Sequence, residues 1–211
     1  MVARQSGLPR ELAQAPLRTL RVRDVTAYNH PRPQLARLAE AGLVHRLADG
    51  FYVVVPQDRV GGRWLPSLEG AAAGIGAAEF GIGRYALMGL TAARVHRVVP
   101  RAIGLATVAA PRRREILKLK DREATIRFFV RDIDLLHVEL MQTDMGSCLV
   151  TTPEQTVLDL AHLTFDGLEG ETETAVRALF PRCDLEMLQE IADGQRLKRA
   201  LSRVLRMEAE A

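Results

Sequence analysis

The sequence predicts an α+β protein in two parts, and three observations predict it. A short helix followed at once by a hairpin signal opens the chain, apolar runs of strand length occupy its middle, and helical spacing fills its last third. The boundary falls at QDRVGGR, residues 57–63, which has the composition of a linker. The first part is therefore residues 1–60 and the second residues 64–211. With 211 residues, 47% of them hydrophobic, the chain is long enough to bury a substantial core.

The stretch PRPQLARLAEAGLVHRLADGFYVVVP, residues 31–56, changes character halfway. Leu35, Leu38 and Ala39 share one helical face, and Gly42 follows as a C-cap glycine. Asp49-Gly50 is a turn signal between two short apolar strands. Residues 20–28 predict a further short helix, with Val22, Val25 and Tyr28 inward. Residues 9–15 leave a first helix little room, because Pro9 and Pro16 bracket it. Helix, turn, helix and two-stranded hairpin is the order of a winged helix-turn-helix. In that arrangement the second helix enters the DNA major groove and the wing touches the neighbouring backbone.

The charge distribution agrees. Residues 1–60 hold nine arginines, the first being Arg4, against five acids, so this part alone exceeds the net charge of +3 of the whole chain. A basic end on a near-neutral body suggests a polyanion partner. With Leu35 and Leu38 inward, Gln34 and Arg37 face outward, and Arg32 precedes them at the helix start. Gln suits adenine and Arg suits guanine. Arg23 and Arg46 are placed for phosphates. The same arginines would be merely solvated if the module served structure or protein–protein contact.

In the second part, Ser67 is an N-cap for a helix through LEGAAAGIGAAEF, and RYALMGLTAARVH predicts the next helix. Residues 103–109, between Pro100 and Pro111, and residues 125–133 predict strands. HVELMQTDMGSCLVTT predicts a hairpin with its turn at Asp144-Met145-Gly146-Ser147. Thr152 caps a helix with Pro153 at its first position and Val157, Leu158, Ala161 and Leu163 as its apolar stripe. Three more helices are predicted over 168–180, 185–192 (ended by Gly194) and 196–207. The last carries Leu197, Leu201, Val204 and Leu205 on one face.

Several function classes fail on motif. The GIG repeats of AAAGIGAAEFGIGRY are not a dinucleotide fingerprint, because Glu79 stands where the third glycine belongs and no strand precedes them. Close helix packing is the expected role of those glycines. There is no GxSxG, no HExxH, no Walker lysine and no kinase signature. Cys148 and Cys183 form no metal spacing and are read as small core residues. No cofactor is called for. The first residues lack an apolar run and no segment reaches membrane-spanning length, so a cytoplasmic protein with no membrane partner is expected.

Three segments, LARLAEAGLVHRLADGFYVVVP, RYALMGLTAARVHRVVP and VTTPEQTVLDLA (150–161), occur in an order and spacing that resembles the AbiEi family of antitoxins in its mycobacterial form. The last looks like the family's T-P-E-R-x-x-L-D segment, with Gln155 where Arg is usual, so that an ion pair there becomes a neutral hydrogen bond or is lost. The resemblance implies an AbiEi-like domain after the winged helix and a type IV toxin–antitoxin system. It implies an antitoxin that neutralises a cognate AbiEii-like nucleotidyltransferase toxin and binds inverted repeats in its own promoter as a repressor. Two copies on the DNA would suffice, without a dimer in solution.

The resemblance also brings a second reading, in which the chain is an atypical serine kinase that silences the toxin by phosphorylation with Mg-ATP. Phosphoryl transfer needs cations on the phosphates and a group orienting the nucleophile; Lys118, Asp132 and Asp159 are the candidates. A third reading is a transcription factor without a toxin partner. PRRREILKLKDRE, residues 111–123, is the densest basic run outside the first part. Arg112, Arg113 and Arg114, extended by Arg94, Arg97 and Arg101, are the candidate partner surface. They would meet an acidic toxin face, a phosphate or more DNA backbone, or remain a solvated loop.

Overall fold

The computed structural model describes residues 8–101 and 103–209; Arg4 lies outside them. The described residues form an α+β structure with eight α-helices and two sheets. The first helix is a single turn, α1 (Arg10–Ala13), as the flanking prolines require. Strand β1 (Thr19–Arg21) follows. The helix expected over 20–28 does not form. Leu20 and Arg21 pair with a later strand instead, and only a 3-10 turn, Val22–Asp24, remains. The segment after it is held by Glu11, whose carboxylate accepts from the Thr26 backbone N–H at 2.9 Å and hydroxyl at 3.0 Å. Val22 and Val25 are still buried, so the apolar pattern was real but its period was not helical.

Helix α2 (Pro31–Glu40) starts with Pro31, whose fixed φ suits the first helical position. Its C-terminus closes on Gly42 at φ +69°, with Leu43 N–H donating to the Leu38 carbonyl. Strands β2 (Val44–Ala48) and β3 (Phe51–Val54) form the hairpin about Asp49-Gly50. The sheet order is β1–β3–β2, all antiparallel.

Helix α3 (Leu68–Phe80) is capped by Ser67, whose hydroxyl accepts from Gly70 N–H at 2.9 Å. The segment expected as one further helix divides into β4 (Ala86–Leu87) and α4 (Gly89–Val95). Ala86 and Leu87 sit in the middle of the large sheet, and pairing there overrides their helical propensity. Then come β5 (Leu105–Ala110), β6 (Leu117–Lys118), β7 (Thr125–Val130), β8 (Val138–Thr143) and β9 (Gly146–Thr151). The β8–β9 loop is two residues, Asp144 and Met145; Gly146 and Ser147, expected in the turn, already pair within β9. Strand order is β6–β7–β5–β4–β9–β8, with β5/β7 and β4/β9 parallel.

Alternation assigns the two faces of this sheet. Ala106, Val108, Ile126 and Val150 face α3 and the first module, in one core with Leu47, Ala48, Phe51 and Val53 of the hairpin. The opposite face meets α4 and the C-terminal helices α5 (Pro153–His162), α6 (Glu169–Leu179), α7 (Leu185–Gly194) and α8 (Lys198–Ala209). Val157, Leu158, Ala161, Leu197, Leu201 and Val204 are buried there as expected, but Leu205 is 46% exposed. Among the described residues no helix is long and apolar enough to cross a membrane.

One cap differs from expectation. Helix α7 runs through Gly194, and Arg196, at φ +59°, takes the left-handed position, with Leu197 N–H donating to the Ala192 carbonyl. A side chain there is strained, whereas glycine adopts it freely. Arg196 is exposed. Arg196→Gly should therefore raise stability by about 0.5–1 kcal/mol in urea unfolding; a loss would show that the arginine makes a stabilising contact.

Candidate nucleic-acid interface

Leu35 is fully buried in α2 and Leu38 and Ala39 are half-buried, which leaves Arg32 and Arg37 exposed and Gln34 half-exposed on the outer side. Arg46 is exposed on the hairpin and donates to Asp49 at 2.6 Å. Asp49 also lies 3.4 Å from Lys120. The hairpin is fastened to the second module by a bridge between Ala48 and Leu119, by Lys120 N–H donating to the Leu47 carbonyl at 2.8 Å, and by His45 Nε2 at 3.1 Å from Asp121. Burial raises the Asp121 carboxyl, but hydrogen bonds from His45 and Arg122 outweigh it and hold the group down at about 2.

The structure adds a residue that sequence reasoning missed. Glu79, at the end of α3, is buried, with arginines from two segments, residues 21–23 and 112–114, around it. Arg21 Nη2 lies 2.9 Å from its carboxylate, Arg112 Nη2 2.8 Å, Arg114 Nε 3.6 Å and Arg23 Nη2 4.0 Å. Arg112 also lies over the Phe80 ring and Arg114 over the Phe51 ring, at 5.2 and 5.9 Å from the centroids. The available signal was a lone carboxylate late in an Ala/Gly helix, which must find a cation if the helix is buried. Beside this cluster, a cavity of about 510 Å³ opens between the start of α2 and the β2–β3 turn. Arg21, Arg23, Arg32 and Arg114 line it, with Val22, Pro31 and Phe51 as apolar wall.

The six arginines proposed as one partner surface are two groups. Arg94 is held by Glu69 and by the Arg101 carbonyl, at the start of α3; Arg112 and Arg114 are held by Glu79 at its end. Ten residues of helix separate the two carboxylates by about 15 Å. Arg97 and Arg101 are exposed near the first group, with Arg101 3.2 Å from Glu171, and Arg113 is exposed near the second.

Lys118, Asp132 and Asp159 are not brought together. Lys118 pairs with Thr125 at the start of β7, whereas Asp132 follows its far end, about 20 Å along the strand. Asp132 caps a 3-10 turn by accepting from Asp134 N–H. Asp159 is fully buried, 3.0 Å from Arg131 Nη2 and within hydrogen-bond reach of Gln155 Nε2. Burial pushes its carboxyl up to about 7, against the opposing effects of the Arg131 charge and the Gln155 hydrogen bond. Gln155 also exchanges hydrogen bonds with Gln195 and accepts from His137 N–H, so a neutral network stands at that position. Burial raises the Cys148 and Cys183 thiols to about 11 and about 12, which suits unreactive packing residues. Among the described residues no three His, Cys, Asp or Glu side chains gather as a metal site would require.

Fold and site together define an α+β protein whose basic helix-and-hairpin module is seated on one face of a six-stranded mixed sheet. No family model matches the chain, and no curated protein matches it. Among solved structures it is similar in fold to the crystal structure of the RV2827C protein from Mycobacterium tuberculosis, with 16% identity, a TM-score of 0.55, and coverage of 94% of this chain and 78% of that one.

Proposed function

We propose that this chain is a double-stranded-DNA-binding protein in which the first module acts as a winged helix-turn-helix with a reduced first helix. The observation that carries the reading is the outer side of α2, where Arg32, Gln34 and Arg37 stand free of the core beside the Arg46-bearing hairpin. In this reading α2 enters the major groove, Gln34 and Arg37 meet base edges, and Arg23 and Arg46 meet phosphates. The resemblance to AbiEi antitoxins supplies the biological role. The protein represses its own promoter and neutralises a neighbouring nucleotidyltransferase toxin, with Arg97 and Arg101 on the side away from the DNA cluster available to that partner.

The test is a gel-shift titration on the chain's own promoter. Arg37→Ala should weaken binding about tenfold or more and relax preference at one base pair, because a bidentate Arg–guanine contact is worth about 1–3 kcal/mol. Unchanged affinity would remove Arg37 from the reading surface. Rescue of growth on co-expression with the neighbouring gene tests the antitoxin role separately.

A further inference from the structure

We propose that the cavity between α2 and the β2–β3 turn is a binding site for the phosphate group of a sugar phosphate, as found in a nucleotide unit. Electrostatics favours an anion there. Arg21, Arg23, Arg32 and Arg114 line the cavity and Arg112 shares Glu79 with them; the carboxylates are Glu79 and Asp24, which pair with this group, and Asp49, which lines the cavity and pairs with Arg46 and Lys120. Five guanidinium groups against three carboxylates still leave an excess of positive charge in a partly desolvated space, where like charges repel more strongly than in water. An anion entering the cavity relieves that repulsion.

Hydrogen bonding favours a phosphate in particular. Arg114 lines the cavity with its guanidinium group, while its buried Nε faces Glu79 Oε2, 3.6 Å away, which likewise lacks a hydrogen bond. Arg32 is exposed at the rim, with no carboxylate partner among the described residues. Planar guanidinium forks match phosphate oxygens in a bidentate manner. The start of α2 adds the backbone N–H group of Arg32, which has no partner within the helix. Shape favours a larger ligand than a bare anion. The wall of Val22, Pro31 and Phe51 offers apolar surface of the kind a sugar or base can cover, and the volume exceeds that of a phosphate alone. A sequence-specific reading by α2 is not required for any of this.

The test is calorimetric titration with inorganic pyrophosphate, with fluorescence anisotropy of a short duplex of arbitrary sequence as a parallel arm. Pyrophosphate should bind the wild type at one saturable site. Arg114→Ala should weaken it at least tenfold, Arg114→Lys should weaken it less, and Lys198→Ala, on the opposite side of the sheet, should leave it unchanged. If Arg114→Ala does not fold, Arg32→Ala gives the same readout from an exposed position.

Pyrophosphate that displaces the duplex, with a salt slope reduced by about one in Arg114→Ala, identifies the source as nucleic-acid backbone. Pyrophosphate that binds without displacing the duplex identifies a free phosphate compound rather than nucleic-acid backbone as the source, and the site stands in either case. Absence of saturable pyrophosphate binding, or binding that folded Arg114→Ala and Arg32→Ala leave intact, overturns it. Duplex binding that needs Arg37 while pyrophosphate does not bind would overturn this site and leave the DNA reading in place.

Discussion

Arg131→Leu is expected to destabilise the protein by about 3 kcal/mol at pH 8 and by under about 1 kcal/mol at pH 5. Asp159 is fully buried and Arg131 is its cation, at 3.0 Å. Above neutral pH the variant must either bury an unpaired carboxylate or bind a proton to neutralise it. The sign follows from linkage. The carboxyl titrates near 3.8 when unfolded and is raised to about 7 in the fold by burial, so the folded state holds an extra proton between those values. The stability carried by that proton is complete below about pH 4 and is lost as pH rises through about 7. Removing Arg131 raises the folded value further and steepens the loss on the alkaline side. At pH 5 the carboxyl is mostly protonated in both proteins and the difference shrinks. Urea unfolding of both at the two pH values measures this. An equal loss at pH 5 and pH 8 would mean that Arg131 contributes packing alone. In Asp159→Asn the decline of stability with rising pH should flatten.

The second expected result concerns the seam between the two modules. Gly74, in the middle of α3, faces β1 so closely that a Cβ placed on it would lie 2.0 Å from Thr19 Oγ1 and 3.1 Å from Thr19 Cβ. Thr19 is itself fixed, because its hydroxyl donates to the Leu17 carbonyl at 2.9 Å. Gly74→Val should therefore cost about 3 kcal/mol, at the upper end of overpacking penalties. The effect should reach the whole protein, since Phe51 and Val53 of the hairpin share a core with α3 and the large sheet. A single urea transition, shifted but still cooperative, is the expected outcome. Independent melting of the first module would show that the shared core does not couple them. Gly76 makes a similar approach to the Tyr85 ring, which would stand 2.5 Å from any Cβ at that position, so the glycines of this helix serve packing.

What the sequence determined by itself is local and periodic. Pro31, Gly42 and Asp49-Gly50 specify α2, its end and the hairpin, because each acts through its own backbone preference. Ser67 and Thr152 cap α3 and α5 through their own hydroxyls, and the buried stripes of α5 and α8 follow from helical spacing, apart from Leu205 and from Leu163, which follows the end of α5 and is only half-buried. Arg32 and Arg37 could be placed outward for the same reason.

What only the tertiary structure decided depends on partners remote in the chain. Leu20-Arg21 became strand because β3 was there to pair, and Ala86-Leu87 became strand because β5 and β9 lay on either side. Arg112 and Arg114 parted from Arg94 because two carboxylates at opposite ends of α3 drew them apart. Glu79 gathered arginines from residues 21 to 114, and its isolation in an apolar helix was the one visible sign. Such choices are non-local. A propensity or a spacing carries no information about which distant backbone edge or countercharge will arrive, and burial makes that arrival decisive.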